Sequence, residues 1–122
     1  MLEYADLTEK IIGAAIEVHR KLGPGFLESI YEAALCIELR KGGLSFERQL
    51  LVPIFYEDHE IGQHRLDLYV EREIVVELKT VKGFKDVHFS IVRSYLRAVG
   101  KNHGLLLNFA STTLEVKRVI AS

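Results

Sequence analysis

The 122-residue chain is 48% apolar and 27% charged, with 16 Lys and Arg against 17 Asp and Glu and a formal net charge of −1. That size and balance predict one globular domain spanning residues 1–122. They exclude a polycationic arm that binds nucleic acid through many phosphate contacts. The lone cysteine, Cys36, excludes an intrachain disulfide and a thiolate zinc cluster.

Residues 1–20 carry neither a basic leader region nor an uninterrupted apolar core, so no secretory signal is expected. No apolar run approaches the roughly 20 residues of a membrane span, and the expectation is a cytoplasmic protein with no membrane partner. After Asp6, the residues Leu7, Ile11, Ala14, Ala15, Val18 and Leu22 recur at helical spacing. Gly23-Pro24-Gly25 stops this helix. A second helix is predicted from about Phe26, with Leu27, Ile30, Ala34, Ile37 and the stem of Lys41 along one side, and it ends at Gly42 and Gly43. Residues 46–56 hold two short strand-like patches, and Glu57–Gly62 reads as a turn. Leu66–Val70 and Ile74–Leu78 are strands, residues 80–86 a loop, and Val87–Gly100 a helix. Leu105–Phe109 and Leu114–Ile120 are the last two strands. The order is α-α-β-β-β-α-β-β, a mixed α/β fold with a central sheet flanked by helices.

The stretch RLDLYVEREIVVELK, Arg65 to Lys79, carries the chemistry. Leu66, Leu68 and Val70 share one strand face, and Ile74, Val76 and Leu78 share another. These faces match only if Val70 pairs with Ile74, Leu68 with Val76 and Leu66 with Leu78. Asp67 then lies opposite Glu77, with β-carbons roughly 5 Å apart. Two carboxylates that close repel unless a cation or a proton compensates, and Mg²⁺, which prefers oxygen ligands, suits the gap. Lys79, on the same face as Glu77, is suited to hold phosphate or to organise an attacking water. A solvated hairpin face with an ordinary Lys–Glu contact would carry the same residues.

Asp67 followed by Glu77-Leu78-Lys79 resembles the D…(D/E)xK signature of PD-(D/E)xK nucleases. Gly25-Phe26-Leu27-Glu28-Ser29-Ile30-Tyr31 resembles the motif of the GxxExxY family, a small bacterial branch of that superfamily. The resemblance runs from about Leu7 to Ile120. It implies a nuclease-like α-β-β-β-α-β core with an added N-terminal helix and C-terminal strand. It also implies a metal-dependent deoxyribonuclease that uses Mg²⁺ or Mn²⁺, with catalytic residues Glu28, Asp67, Glu77 and Lys79. Asp67, Glu77 and the Leu78 carbonyl would be metal ligands, joined by Glu28 directly or through a water. Tyr31, His88 and Tyr95 occupy supporting positions, and Tyr31 lies on nearly the same helical face as Glu28. Ile91 stands where this resemblance expects a Gln, and an aliphatic side chain cannot bond a carboxylate or a phosphate. The alternative is a catalytically weak or inactive module that binds nucleic acid or a protein partner.

Arg93, Arg97 and Lys101 repeat every four residues on the third predicted helix, and Lys82 and Lys85 precede it. Together they form a candidate DNA-backbone stripe, although a plain solvated helix face would look the same. Few aromatics are expected at the surface, which argues against a dedicated single-strand binder. His19, next to Arg20, reads as a cap on the end of the first helix. The small size is compatible with a homodimer, which would present two sites to the two strands of a duplex.

Overall fold

The computed structural model describes residues 4–121. Its elements are α1 (Tyr4–Leu22), α2 (Glu28–Lys41), β1 (Phe46–Tyr56), β2 (His59–Val70), β3 (Ile74–Lys79), α3 (Asp86–Val99), β4 (His103–Asn108) and β5 (Glu115–Ile120). The five strands form one mixed sheet in the order β1-β2-β3-β4-β5. Neighbours are antiparallel except β3 and β4, which run parallel and are joined across one face by α3. This is an α/β fold with helices on both faces of a central sheet, and the element order is the expected one. Among the described residues no helix is long and apolar enough to cross a membrane.

Each face has its own core. On one side α1 (Leu7, Ile11, Ala15, Val18) and α2 (Tyr31, Leu35, Leu39) cover Leu68, Ile74, Val76, Leu78, Leu105 and Leu107. On the other side α3 packs Val92 and Leu96 against Leu66, Tyr69, Val75, Leu106 and Val119. Strand β3 is buried on both faces, which is why Ile74–Leu78 reads as a nearly continuous apolar run.

Three local expectations are corrected. The buried side of α2 is Tyr31, Leu35, Cys36 and Leu39, whereas Leu27, Ile30 and Ile37 are exposed. Apolar residues line two stripes of this helix, so periodicity alone could not select the one that α1 covers. The two patches expected in residues 46–56 form one continuous strand, and the turn that follows shrinks to Glu57 and Asp58. Leu66 does not share a core with Leu68. It packs on the α3 side, because β2 changes face at Asp67.

Crossover helix α3 lies close against β4. A β-carbon at Gly104 would sit 2.9 Å from Val92 Cγ1 and 3.1 Å from the Val75 carbonyl oxygen. Both neighbours are confined, one in a stiff β-branched side chain and the other in backbone. Gly104→Ala should therefore lower stability by about 1–3 kcal/mol, as overpacking does. Urea unfolding of the single variant and of Gly104→Ala/Val92→Ala checks this: the second change should recover part of the loss only if the Val92 contact is its source.

Candidate functional site

Backbone pairing between β2 and β3 runs from Val70↔Ile74 to Leu68↔Val76 and then stops. At the next position the side chains take over the ladder. The Asp67 amide donates to Glu77 Oε1 at 2.9 Å, and the Leu78 amide donates to Asp67 Oδ2 at 2.9 Å. Each carboxylate thus captures a backbone donor of the opposite strand, and the strands open around the two acids. The expected Leu66↔Leu78 pair is absent from this ladder for that reason.

Glu77 is only 4% exposed. Burial, reinforced by the negative charge of Asp67, pushes its carboxyl up from 4.5 to about 9, while Lys79 pulls weakly the other way. Burial also raises the Asp67 carboxyl. The Leu78 amide opposes that rise, and the charge of Glu32 adds to it. Near neutral pH this pair holds a proton unless a cation replaces it.

Helix α2 brings further acids to Asp67. Glu28, its exposed first residue, lines a cavity of about 210 Å³ together with Ser29, Glu32, Gln49, Asp67 and Leu78. Glu32 lies one turn after Glu28 and is nearly buried. Its oxygens accept from Arg48 Nε at 2.7 Å and from Gln49 Nε2 at 2.7 Å. The same Gln49 amide group reaches Asp67 Oδ1 at 3.4 Å. Gln49 adopts φ 54°, a left-handed conformation uncommon for a side-chain-bearing residue inside a strand. Glu32, Arg48 and Gln49 were not identified from the sequence. The one available signal was the i,i+4 spacing of Glu28 and Glu32, since the left-handed backbone at Gln49, where β1–β2 pairing is interrupted without a register shift, has no local signature.

Lys79 ends β3 half-buried, and its carbonyl accepts from the Phe109 amide at 2.9 Å. The loop that follows is held by Asn108, which is fully buried at the end of β4. Asn108 Nδ2 donates to the Val81 carbonyl at 2.8 Å, and Asn108 Oδ1 accepts from the amides of Val81 and Ala110 at 3.1 Å each. A polar residue closing the buried strand Leu105–Asn108 needs such partners, and that requirement was readable in advance. Tyr95 projects from α3 with its ring edge-on to His64, the centroids 4.6 Å apart. Burial raises its hydroxyl pKa first, and the charges of Glu77 and Asp67 raise it further.

Other residues lie elsewhere than the sequence suggested. Tyr31 is in the core rather than on the rim of the cavity, stacked on Phe109 at 4.5 Å. Its hydroxyl donates to the Gly23 carbonyl at 2.5 Å and accepts from the Phe26 amide at 3.2 Å, so it braces the turn that delivers Glu28. His88 closes the first turn of α3, its Nδ1 accepting from the Lys85 amide at 2.9 Å. His19 ties α1 to the β4–β5 loop through Nε2 and the Ser111 carbonyl at 2.8 Å, instead of capping its own helix. Lys101 leaves the α3 stripe because Gly100, at φ 71°, ends the helix, and it pairs with Glu73 at 3.4 Å. Arg93 and Arg97 remain exposed on α3, Lys82 and Lys85 are exposed before it, and Ile91 is on its surface.

The sequence profile described as the PD-(D/E)XK nuclease superfamily matches residues 5–119. The chain belongs to that superfamily. No curated protein matches it. The crystal structure of SSO0001 is similar in fold, with a TM-score of 0.60 and 19% identity over 76% of this chain. The match spans 49% of SSO0001, so this PD-(D/E)XK domain corresponds to about half of that protein. Asp67 and Glu77-Leu78-Lys79, which resemble a D…(D/E)xK pattern in the sequence, stand on the opened β2–β3 hairpin. Among the described residues no group of three or more His, Cys, Asp or Glu side chains is assembled as a metal cluster.

The proton held by Glu77 has a thermodynamic consequence. Folding raises its pKa, so the unfolded chain binds fewer protons than the folded one between pH 4.5 and about 9. This contribution is full below pH 4.5 and is lost as pH climbs to about 9. Metal-free protein should therefore lose thermal stability across that window, and Glu77→Gln should flatten the slope. Melting curves at a series of pH values in EDTA check it, and equal slopes for the two proteins would contradict the assignment.

Proposed function

We propose that this domain is a Mg²⁺- or Mn²⁺-dependent phosphodiester hydrolase acting on DNA, in the GxxExxY branch of its superfamily. The observation that carries this reading is the Asp67–Glu77 pair, two interlocked carboxylates that repel each other, with Asp67 lining a cavity shared by Glu28 and Glu32. The donor chemistry fits a hard divalent cation. The acids offer oxygen ligands, their repulsion is the charge that a cation relieves, and Mg²⁺ is commonly held by only one or two carboxylates plus water and phosphate oxygens. Asp67, Glu77 and the Leu78 carbonyl would hold it, with Glu28 contributing from the α2 side. When bound, the ion supplies Lewis-acid neutralisation of phosphate charge and a more acidic water.

The chain's own groups account for the rest. The Leu78 and Asp67 amides orient the two carboxylates before any ligand arrives, and Gln49 links Asp67 to the Glu32–Arg48 pair behind it. The ammonium of Lys79 lies two residues beyond Glu77 on the strand. It is suited to stabilise the negative charge that develops on the phosphate and to hold the attacking water in place. Lys82, Lys85, Arg93 and Arg97 would position the DNA backbone without reading its sequence. A second reading, a nuclease-fold module that binds without cutting, is favoured by Ile91, which sets an aliphatic surface where the resemblance expects a Gln.

Calorimetric titration with Mn²⁺ and Mg²⁺, paired with cleavage of linear, circular, single-stranded and branched DNA, separates the two. Asp67→Ala should lose metal binding and all cleavage, since it removes a ligand and half of the local charge. Lys79→Ala should keep most of the metal binding and lose about 10²–10³-fold in turnover. Absence of metal binding at millimolar Mg²⁺, with wild type and Lys79→Ala alike on every substrate, would leave the binding-module reading.

A further inference from the structure

A second cavity, of about 450 Å³, lies between the outer half of the β1–β2 hairpin and α3. Its apolar side is built by Ile54, Phe55 and Ala98, and its polar side by His64, Ser94 and Arg97. We propose that this groove is a subsite for one unpaired nucleotide, with the base stacked on Phe55 and the adjoining phosphate on Arg97. It rests on the hydrolase reading only in making that nucleotide a neighbour of the phosphate held at Asp67 and Glu77.

Four observations support it. The Phe55 side chain is 60% exposed in a β1 segment where the strand register shifts between Ile54 and Phe55, so the sheet does not use its ring. The expectation of few surface aromatics is corrected here: Phe55 and Tyr56, which is 64% exposed, stand together at the end of the hairpin. An exposed aromatic face beside a cation is the usual platform for a base and its backbone.

Arg97 is exposed and has no carboxylate partner among the described residues, unlike Lys101, four positions on, which pairs with Glu73. Arg93, one turn earlier on α3, is likewise unpaired among the described residues. Positive charge free to take an anion is thus retained on this helix.

The polar groups of the groove have hydrogen-bonding capacity to spare. The Ser94 hydroxyl donates to the Ile91 carbonyl at 2.7 Å, so it accepts from His64 Nε2 at 3.2 Å, which leaves His64 Nδ1 as an acceptor. An acceptor beside an apolar wall suits an N–H on the edge of a base, such as the ring N3–H of thymine.

Finally, a ring contact leads from the groove toward the side of the sheet that holds the acid pair. His64 packs on Tyr95, and the Tyr95 hydroxyl feels the charges of Glu77 and Asp67. The volume falls within the ~300–1,000 Å³ of small-ligand pockets and is far too small for a duplex. A paired base in a helix shows only its edges, so an aromatic face can stack on a base only where the strand is open. The implied substrate is a single strand, a frayed end or a flap.

Fluorescence anisotropy in EDTA, with labelled oligo-dT, a blunt duplex and the same duplex bearing a single-stranded overhang, tests the assignment without hydrolysis. Wild type should bind the single strand and the overhang more tightly than the blunt duplex. Phe55→Ala should weaken single-strand binding about tenfold while Phe55→Trp retains it, and Arg97→Ala should lower the salt slope by about one. Phe55 is exposed, and circular dichroism of Phe55→Ala verifies that the fold persists. Equal affinity of wild type for blunt duplex and single strand, or unchanged single-strand affinity in Phe55→Ala, would overturn the subsite. The hydrolase reading fails by a separate measurement, metal titration, so the two failures are distinguishable.

Discussion

The capture of the Asp67 amide by the Glu77 carboxylate, and of the Leu78 amide by the Asp67 carboxylate, is the constraint around which the rest of this domain is arranged. A buried amide must find an acceptor, and here two amides find side-chain carboxylates instead of carbonyls. The ladder therefore opens at the place where two acids must remain close together. That opening moves Leu66 into the α3-side core while Leu68 stays with α1 and α2. Strand β1 opposite responds in kind: pairing skips from Arg48↔Leu68 to Leu50↔Leu66, and Gln49 takes a left-handed conformation facing Asp67. A strained backbone and two repelling acids cost stability, and the two apolar cores are what sustain them.

Several features remote from the hairpin serve to hold its surroundings still. Tyr31 spends its hydroxyl on the Gly23–Phe26 turn, where Gly23 and Gly25 adopt φ 71° and 107°, and so sets where α2 begins. Glu28, the first residue of that helix, is thereby placed at the cavity beside Asp67. Asn108 clamps the segment after Lys79 through two hydrogen bonds to Val81, and two more, to the Ala110 amide and to Glu115 at 3.2 Å, hold Asn108 itself in place. Close approach at Gly104 fixes α3, the helix that carries Tyr95, against β4.

The charge distribution is uneven in a way that the net charge conceals. Glu17, Glu38, Glu47 and Glu73 each take a basic partner, and Glu32 takes Arg48. Exposed pairs of this kind contribute little to stability. Lys82, Lys85, Arg93 and Arg97, on α3 and the loop before it, are among the cations with no ion-pair partner among the described residues. A nearly neutral chain can thus keep local positive charge that its net charge conceals.

The sequence by itself determined the element order, the buried character of β3 and β4 and the closeness of Asp67 to Glu77. All of these follow from period-two and period-3.6 patterns, which bear on burial directly. The D…ExK and GxxExxY spacings likewise carry the resemblance to the superfamily to which the chain belongs. Only the tertiary structure decided which stripe of α2 faces the core, because Leu27–Ile30–Ile37 and Tyr31–Leu35–Leu39 are equally apolar and α1 covers just one of them. It also decided that Tyr31 and His88 brace backbone, and that Glu32, Arg48 and Gln49 stand behind Asp67. Those roles depend on where a long-range partner arrives, on an interruption in strand pairing and on a turn. A hydrogen bond between residues 17 or 18 positions apart leaves no periodic trace in the chain that makes it.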